Sequence, residues 1–116
     1  MTNKIANHNY SKRTIPKDGF KTFDSFYPYY LSEHCNQTNR RLHLIGTSIS
    51  NILIILSILR KRPNLILIGI IQGYVWAWIG HFIFEKNKPA TFKYPFYSLR
   101  GDFKMWAEVV SGKRTF

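Results

Sequence analysis

Residues 44–59, LIGTSISNILIILSIL, and residues 63–84, PNLILIGIIQGYVWAWIGHFIF, contain no Asp, Glu, Lys or Arg, and only Arg60, Lys61 and Arg62 stand between them. Two apolar runs joined by a short basic turn read as a helical hairpin. The second run is long enough to cross a hydrocarbon core of about 30 Å, which takes ~20 helical residues. The first is short for that task, and Thr47, Ser48, Ser50 and Asn51 dilute it. Its span therefore borrows from residues 41–43 or crosses at an angle. The competing reading is a soluble hairpin whose two helices bury one another.

Charge supports the membrane. The 116 residues carry 17 Lys and Arg against 6 Asp and Glu, a formal net charge of +11. A nucleic-acid binder shows the same kind of total. Here seven bases precede His43, three sit in the turn and seven follow Glu85. Bases that flank apolar runs suit anionic lipid head groups, and no nucleic acid is expected. The positive-inside rule, 14 bases against 3, then places both termini in the cytoplasm for an integral, multi-pass protein. Tyr74, Trp76, Trp78, Phe82 and Phe84 form an aromatic cluster of the kind found in interfacial belts. The first 22 residues hold no apolar segment, so no signal peptide is expected. The single Cys35 excludes an internal disulfide.

The histidines stand at the ends of the runs. Taking Arg62 as the turning point, His43 lies 19 residues before it and His81 lies 19 after. Equal helical arms of roughly 1.5 Å per residue bring His81 back to the level of His43. His81 and Glu85, at i and i+4, share one side of an α-helix. His34 and His43 are nine residues apart and half a revolution out of phase, so the chain must break between them to bring them together. Residues 36–39 offer that break, with Thr38 a candidate N-cap.

Imidazoles and a carboxylate gathered at one membrane face suit a metal. Iron(II) oxygenases commonly use two His and one carboxylate, leaving positions for substrate and dioxygen. His34, His43, His81 and Glu85 supply that set with one His to spare, either a fourth ligand or a group that orients another. An ionisable residue near the end of an apolar span is costly to place, which singles out His81. The plainer alternatives are histidines that only hydrogen-bond, and a Glu85 in an interfacial ion pair with Lys86 or Lys88 worth under ~1 kcal/mol. Arg40 and Arg41 either anchor a helix end by snorkelling or receive the carboxylate of an amphiphile. Lys86 is a further candidate to balance that charge. No phosphate loop, nucleophile elbow or Ser–His–Asp order is present.

Residues 1–21 read as a flexible basic arm broken by Pro16 and Gly19, with His8 outside any site. From Thr22 to Cys35 aromatics crowd the chain. A short helix capped by Thr22 or Asp24 is expected there, with Pro28 tolerated only near its first turn. Its amphipathic body suits the membrane interface, where Tyr29 and Tyr30 pack rather than act as acid–base groups. Residues 86–106, interrupted by Pro89, Pro95 and Gly101, read as loop plus short helix, with Asp102 the acid of most interest. The expected organisation is an arm (1–21), a membrane-embedded metal-binding domain (22–106) and a tail without readable function (107–116). The fold class is all-α: an integral membrane helical hairpin with an interfacial helix and a loop-rich cap.

Two segments carry a resemblance. YLSEHCNQTNRRLHLIG (residues 30–46) and GHFIFEKNKPA (residues 80–90) are similar to a family of small membrane proteins, the 2-hydroxy-fatty-acid dioxygenase-like family. The similarity covers roughly residues 23–106, and residues 91–106 resemble its short bacterial-type branch. It implies an iron(II)-dependent dioxygenase that shortens 2-hydroxy fatty acids by one carbon, an α-oxidation, with dioxygen as co-substrate. It implies His34, His43 and His81 as iron ligands, Glu85 as a fourth candidate, and Asn39 as a capping or orienting residue. This chain has room for two spans where longer fungal members have more. On this reading the acyl tail lies along the hairpin, reaching the site sideways from the bilayer. Two rivals stand beside it: a non-enzymatic lipid-binding scaffold with hydrogen-bonding histidines, and a structural zinc site that fixes the hairpin. Two spans make a thin wall around a lipid-sized pocket, so a homo-oligomer is an expectation as well.

Overall fold

Helix α1 spans Phe23–Ser32, α2 Gln37–Arg60, α3 Asn64–Ile79 and α4 Pro95–Val110. A single π-helical turn, Gly80–Glu85, continues α3, and a 3-10 turn, Ala90–Phe92, leads into α4. This computed structural model describes residues 13–116, so most of the expected basic arm, His8 included, lies outside the described residues. The described residues are all-helical, without a strand.

The basic turn makes the hairpin as expected. Lys61 takes a left-handed conformation (φ 53°) and its N–H bonds to Ile58 O and Ser57 O, which ends α2 and sends the chain back into α3. The span beginning in α2 does borrow N-terminal residues, since the helix starts at Gln37. Its N-cap is Asn36, whose side chain accepts from the N–H of Asn39. Thr38, the candidate read from sequence, lies inside the helix instead. Both segments, Gln37–Arg60 and Asn64–Glu85, are long and apolar enough to cross a membrane.

The hairpin closes on a seam of small residues. Ser50 Oγ lies 2.8 Å from Gly69 O, and Gln72 Nε2 donates to Gly46 O and Ser50 Oγ at 2.8 Å each. Small residues let two backbones approach, and a polar side chain bridges them where no water competes. The outward faces are the reverse: Ile52, Ile55, Ile58, Leu59, Leu67 and Ile71 are all more than half exposed. A continuous apolar surface of that kind on two helices calls for hydrocarbon rather than water.

The aromatic segment folds inward. Thr22 caps α1 by accepting from the Ser25 N–H. Pro28 sits in the interior of α1 rather than in its first turn. Proline has no N–H for the carbonyl four residues earlier, that of Asp24, and Asp24 is exposed. Phe26, Tyr30 and Leu31 are essentially fully buried and form one core with Met105 of α4. Much of the aromatic face read as interfacial is thus taken up inside the protein. Residues 86–106 hold more helix than the prolines suggested, because Pro95 occupies the first turn of α4, where no N–H is needed. Gly101 lies in mid-helix against Tyr30, where a Cβ would come within 2.9 Å of the ring. The boundary expected at residue 106 falls inside α4.

Candidate metal centre

Three elements each deliver one imidazole. His34 lies in the link after α1, His43 on the second turn of α2, and His81 in the π turn after α3. All three are buried, at 1%, 4% and 2% exposure. His34 Nε2 lies 3.1 Å from both His43 Nε2 and His81 Nε2, and the three rings stand nearly perpendicular to one another, at 79–88°. The break between His34 and His43, required by their half-turn mismatch, is the non-helical stretch closed by the Asn36 cap.

Proton bookkeeping then fixes what faces inward. His34 Nδ1 donates to Tyr30 O at 2.6 Å, and His43 Nδ1 donates to Asn39 O at 2.9 Å. His81 Nδ1 donates to Asn87 Oδ1 at 2.7 Å. The Asn87 amide is oriented by its other end, where Nδ2 donates to Glu33 O and Glu33 Oε2 at 3.2 and 3.0 Å. With each Nδ1 carrying the proton of a neutral ring, each Nε2 presents a bare lone pair. Burial, with His43 and His81 adding to it, pushes the His34 imidazole well below its ordinary 6.5, so a proton is a poor occupant of the centre. Three converging lone pairs repel unless a cation sits among them. Nitrogens about 2.1 Å from one metal and roughly 90–100° apart would be ~3.0–3.2 Å from each other, which matches the two separations made by His34 Nε2. The ligand atoms of all three lie within 4.8 Å of one another. The donor set fits a divalent transition metal.

Glu85 is not brought into this cluster. In an α-helix it would share a side with His81, but the wider π turn changes its direction. Its Oε1 accepts instead from the Asn36 N–H at 2.8 Å and from Asn39 Nδ2 at 3.1 Å. It therefore holds the start of α2, and through Asn39 the carbonyl that orients His43. The approach depends on Gly80, where a Cβ would fall 2.1 Å from Asn39 Oδ1 and 3.1 Å from the Asn39 Cα. Among the described residues, the metal-binding group comprises His34, His43 and His81.

The three basic residues proposed for a substrate carboxylate also stand elsewhere. Arg40 is fully buried and does not snorkel. It borders neither cavity at the histidines. Arg41 is exposed and lies over the Phe116 ring at 4.9 Å. Lys86 is exposed at the end of the π turn.

Sequence reasoning passed over two residues. Asn87 orients His81 across the π turn, at a spacing that no α-helical rule marks. Tyr30, read as packing, stacks on His34 with ring centroids 4.0 Å apart, and its hydroxyl donates to Asp102. Burial lifts the Asp102 carboxyl to about 7, with the Tyr30 hydrogen bond opposing the rise.

The histidines open onto a cavity of about 20 Å³ bordered by Tyr74, Trp78, Thr91, Ser98 and Asp102, room for about one small molecule the size of water. A larger cavity of about 160 Å³ shares His43, Tyr74, Ala77 and Asp102 with it, and its lining is mostly apolar. Three protein ligands with an open side is the pattern of a catalytic metal site, whereas a structural one is closed by a fourth ligand. No curated protein and no solved structure matches the chain. A family model described as 2-hydroxy-palmitic acid dioxygenase Mpo1-like matches residues 20–114, the stretch that holds the whole histidine site, and the chain belongs to that family.

Proposed function

We propose that this protein is an iron(II)-dependent dioxygenase that acts at the membrane on 2-hydroxy fatty acids and shortens them by one carbon. The observation that carries this reading is the set of three inward Nε2 lone pairs, open on one side and placed at the head of an apolar cavity. Iron held by His34, His43 and His81 would supply dioxygen activation and a seat for the oxygens of a 2-hydroxy carboxylate. The overall reaction balances without an external reductant. The C1–C2 bond breaks, dioxygen takes four electrons from the substrate, and the products are the shortened acid, carbon dioxide and water.

The chain's own residues supply orientation and shelter. Tyr30 O, Asn39 O and Asn87 Oδ1 keep the three rings in the tautomer that binds metal. Tyr30 and Trp78 help enclose the small cavity and limit water around the reacting carbon. Asp102, held by the Tyr30 hydroxyl, is the polar group best placed to meet the substrate's hydroxyl or carboxylate. The excess of basic residues outside the turn supports a cytoplasmic position for the metal end.

The test is dioxygen uptake by detergent-purified protein, reconstituted anaerobically with iron(II), on addition of 2-hydroxypalmitate. Uptake with release of a fifteen-carbon acid is expected, and it should vanish in His81→Ala together with bound iron while the protein stays folded. A His81→Ala protein that keeps wild-type turnover would sink the metal reading. Stoichiometric iron without turnover would leave a metalloprotein of another activity.

A further inference from the structure

The apolar cavity has a direction and an end. Along α2 its wall is His43, Thr47, Ser50 and Ile54, spacings of four, three and four that keep one helix face turned toward it. Along α3 the wall runs antiparallel, from Ala77 at the histidine end to Ile66 at the far end. Asp102 stands at the junction, bordering both this groove and the small cavity beside the histidines. The polar group of Ser50 faces backbone and Gln72 partners within the hairpin seam, so beyond Thr47, one turn from His43, the α2 wall offers a ligand mainly apolar contact. Ile66 and Ile70 are each 38% exposed, which leaves the groove open sideways to the surroundings of the hairpin.

Its length is informative. The eleven residue steps from His43 to Ile54 rise about 16 Å at roughly 1.5 Å each, close to half of a ~30 Å hydrocarbon core. That is the depth one acyl chain occupies in one leaflet. A groove of that length, apolar, laterally open and headed by the metal site, fits a single extended hydrocarbon chain.

We infer that this groove seats the substrate's acyl chain, with the carboxyl end at Asp102 and the histidines and the methyl end against Ile54 and Ile66. These two isoleucines then set the chain length the enzyme takes. The inference rests on the dioxygenase reading for its substrate, and adds to it the determinant of chain-length specificity.

Two measurements on the full-length protein in detergent test it. In the first, dioxygen uptake is profiled over 2-hydroxy acids of ten to twenty carbons. Ile54→Trp should move the optimum shorter by roughly two carbons or more, since the indole fills the end of the groove. Ile54→Ala and Ile66→Ala should move it longer. Ile55→Trp, on the exposed side of α2, should leave it unchanged. In the second, metal-free wild-type protein is photolabelled with 2-hydroxypalmitate bearing a diazirine either at its methyl end or close to its carboxyl end. The methyl-end probe should label the peptides holding Ile54 and Ile66, and the carboxyl-end probe those holding Leu99 and Asp102.

An active wild type whose chain-length profile is the same in the Ile54, Ile66 and Ile55 variants overturns the groove and leaves the dioxygenase standing. Labelling outside the groove does the same. A wild type that turns over no 2-hydroxy acid overturns the dioxygenase. In that case ordered labelling still supports the groove as an acyl site, and label without order removes it.

Discussion

The first two turns of α2 and its last two obey opposite rules. At the start, Asn39, Arg40 and His43 are buried at 0%, 0% and 4% exposure, while at the end Ile58 and Leu59 are 70% and 71% exposed. One helix therefore buries three polar residues at one end, with Arg41 beside them left exposed, and exposes large apolar residues at the other. The contrast follows from what each end meets. The far end faces outward, where apolar side chains are stable only in hydrocarbon. The near end packs against the π turn and α4. Two of its three buried polar residues have hydrogen-bond partners, Asn39 through Glu85 and Asn36 and His43 through Asn39 O, whereas the Arg40 guanidinium has none among the described residues. Buried polar groups are tolerable when they are hydrogen-bonded, and Asn39 and His43 help build the metal site.

The strongest way to break this contrast is at Gly80. Gly80→Ala drives a methyl into Asn39, including its Cα, so the π turn and α2 must separate. Loss of about 3 kcal/mol is expected, with metal binding lost alongside, by thermal melts in mild detergent and by metal titration. Retention of both would mean that the near end is as yielding as the far one.

Protonation of Asp102 sharpens the same point. Its folded value of about 7 stands above the ordinary 3.8, so the folded protein binds the proton more tightly than the unfolded chain does. The resulting stability is fully present below about pH 4 and is lost as pH rises through about 7. The stability difference between metal-free wild type and Asp102→Asn should therefore fall across that window, by at most ~1.4 kcal/mol per pH unit. A difference that stays flat would show Asp102 to be solvated like any surface acid.

Asn87→Ala tests whether orientation matters as much as ligation. Losing the oxygen that fixes His81 should weaken iron(II) binding by roughly 10–100-fold, with the fold intact by circular dichroism. The smallest effect belongs to the far end. Ile58→Ala should change detergent stability by less than ~0.5 kcal/mol, since the side chain packs on little within the protein. A large loss there would point to a further protein surface covering the hairpin.

The hairpin and the pairing of His43 with His81 were legible because each rests on local pattern. Charge-free runs, a basic turn and equal arm lengths survive whatever the rest of the chain does. The need for a break between His34 and His43 was legible for the same reason, although its cap lies at Asn36 rather than Thr38. Glu85 was misdirected by an α-helical spacing rule applied where the helix widens into a π turn, and nothing local in GHFIFE announces that widening. Arg40 looked like a snorkelling residue because its neighbours in sequence are polar and basic; in the fold it is buried near Tyr27, Tyr30, Glu108 and Arg114, two of which are remote in sequence.

By itself the sequence determined an all-helical chain with two runs apolar enough for a bilayer and three histidines able to meet at one end. Those properties depend on periodicity and composition, which act over a few residues. The tertiary structure decided which atoms of those histidines face one another, that Asn87 and not Glu85 attends His81, and that Asp102 joins the metal site to an apolar groove. Those choices depend on contacts between elements up to about 70 residues apart, such as Tyr30 with Asp102. Such pairings are set by how helices pack, and no local pattern carries that information.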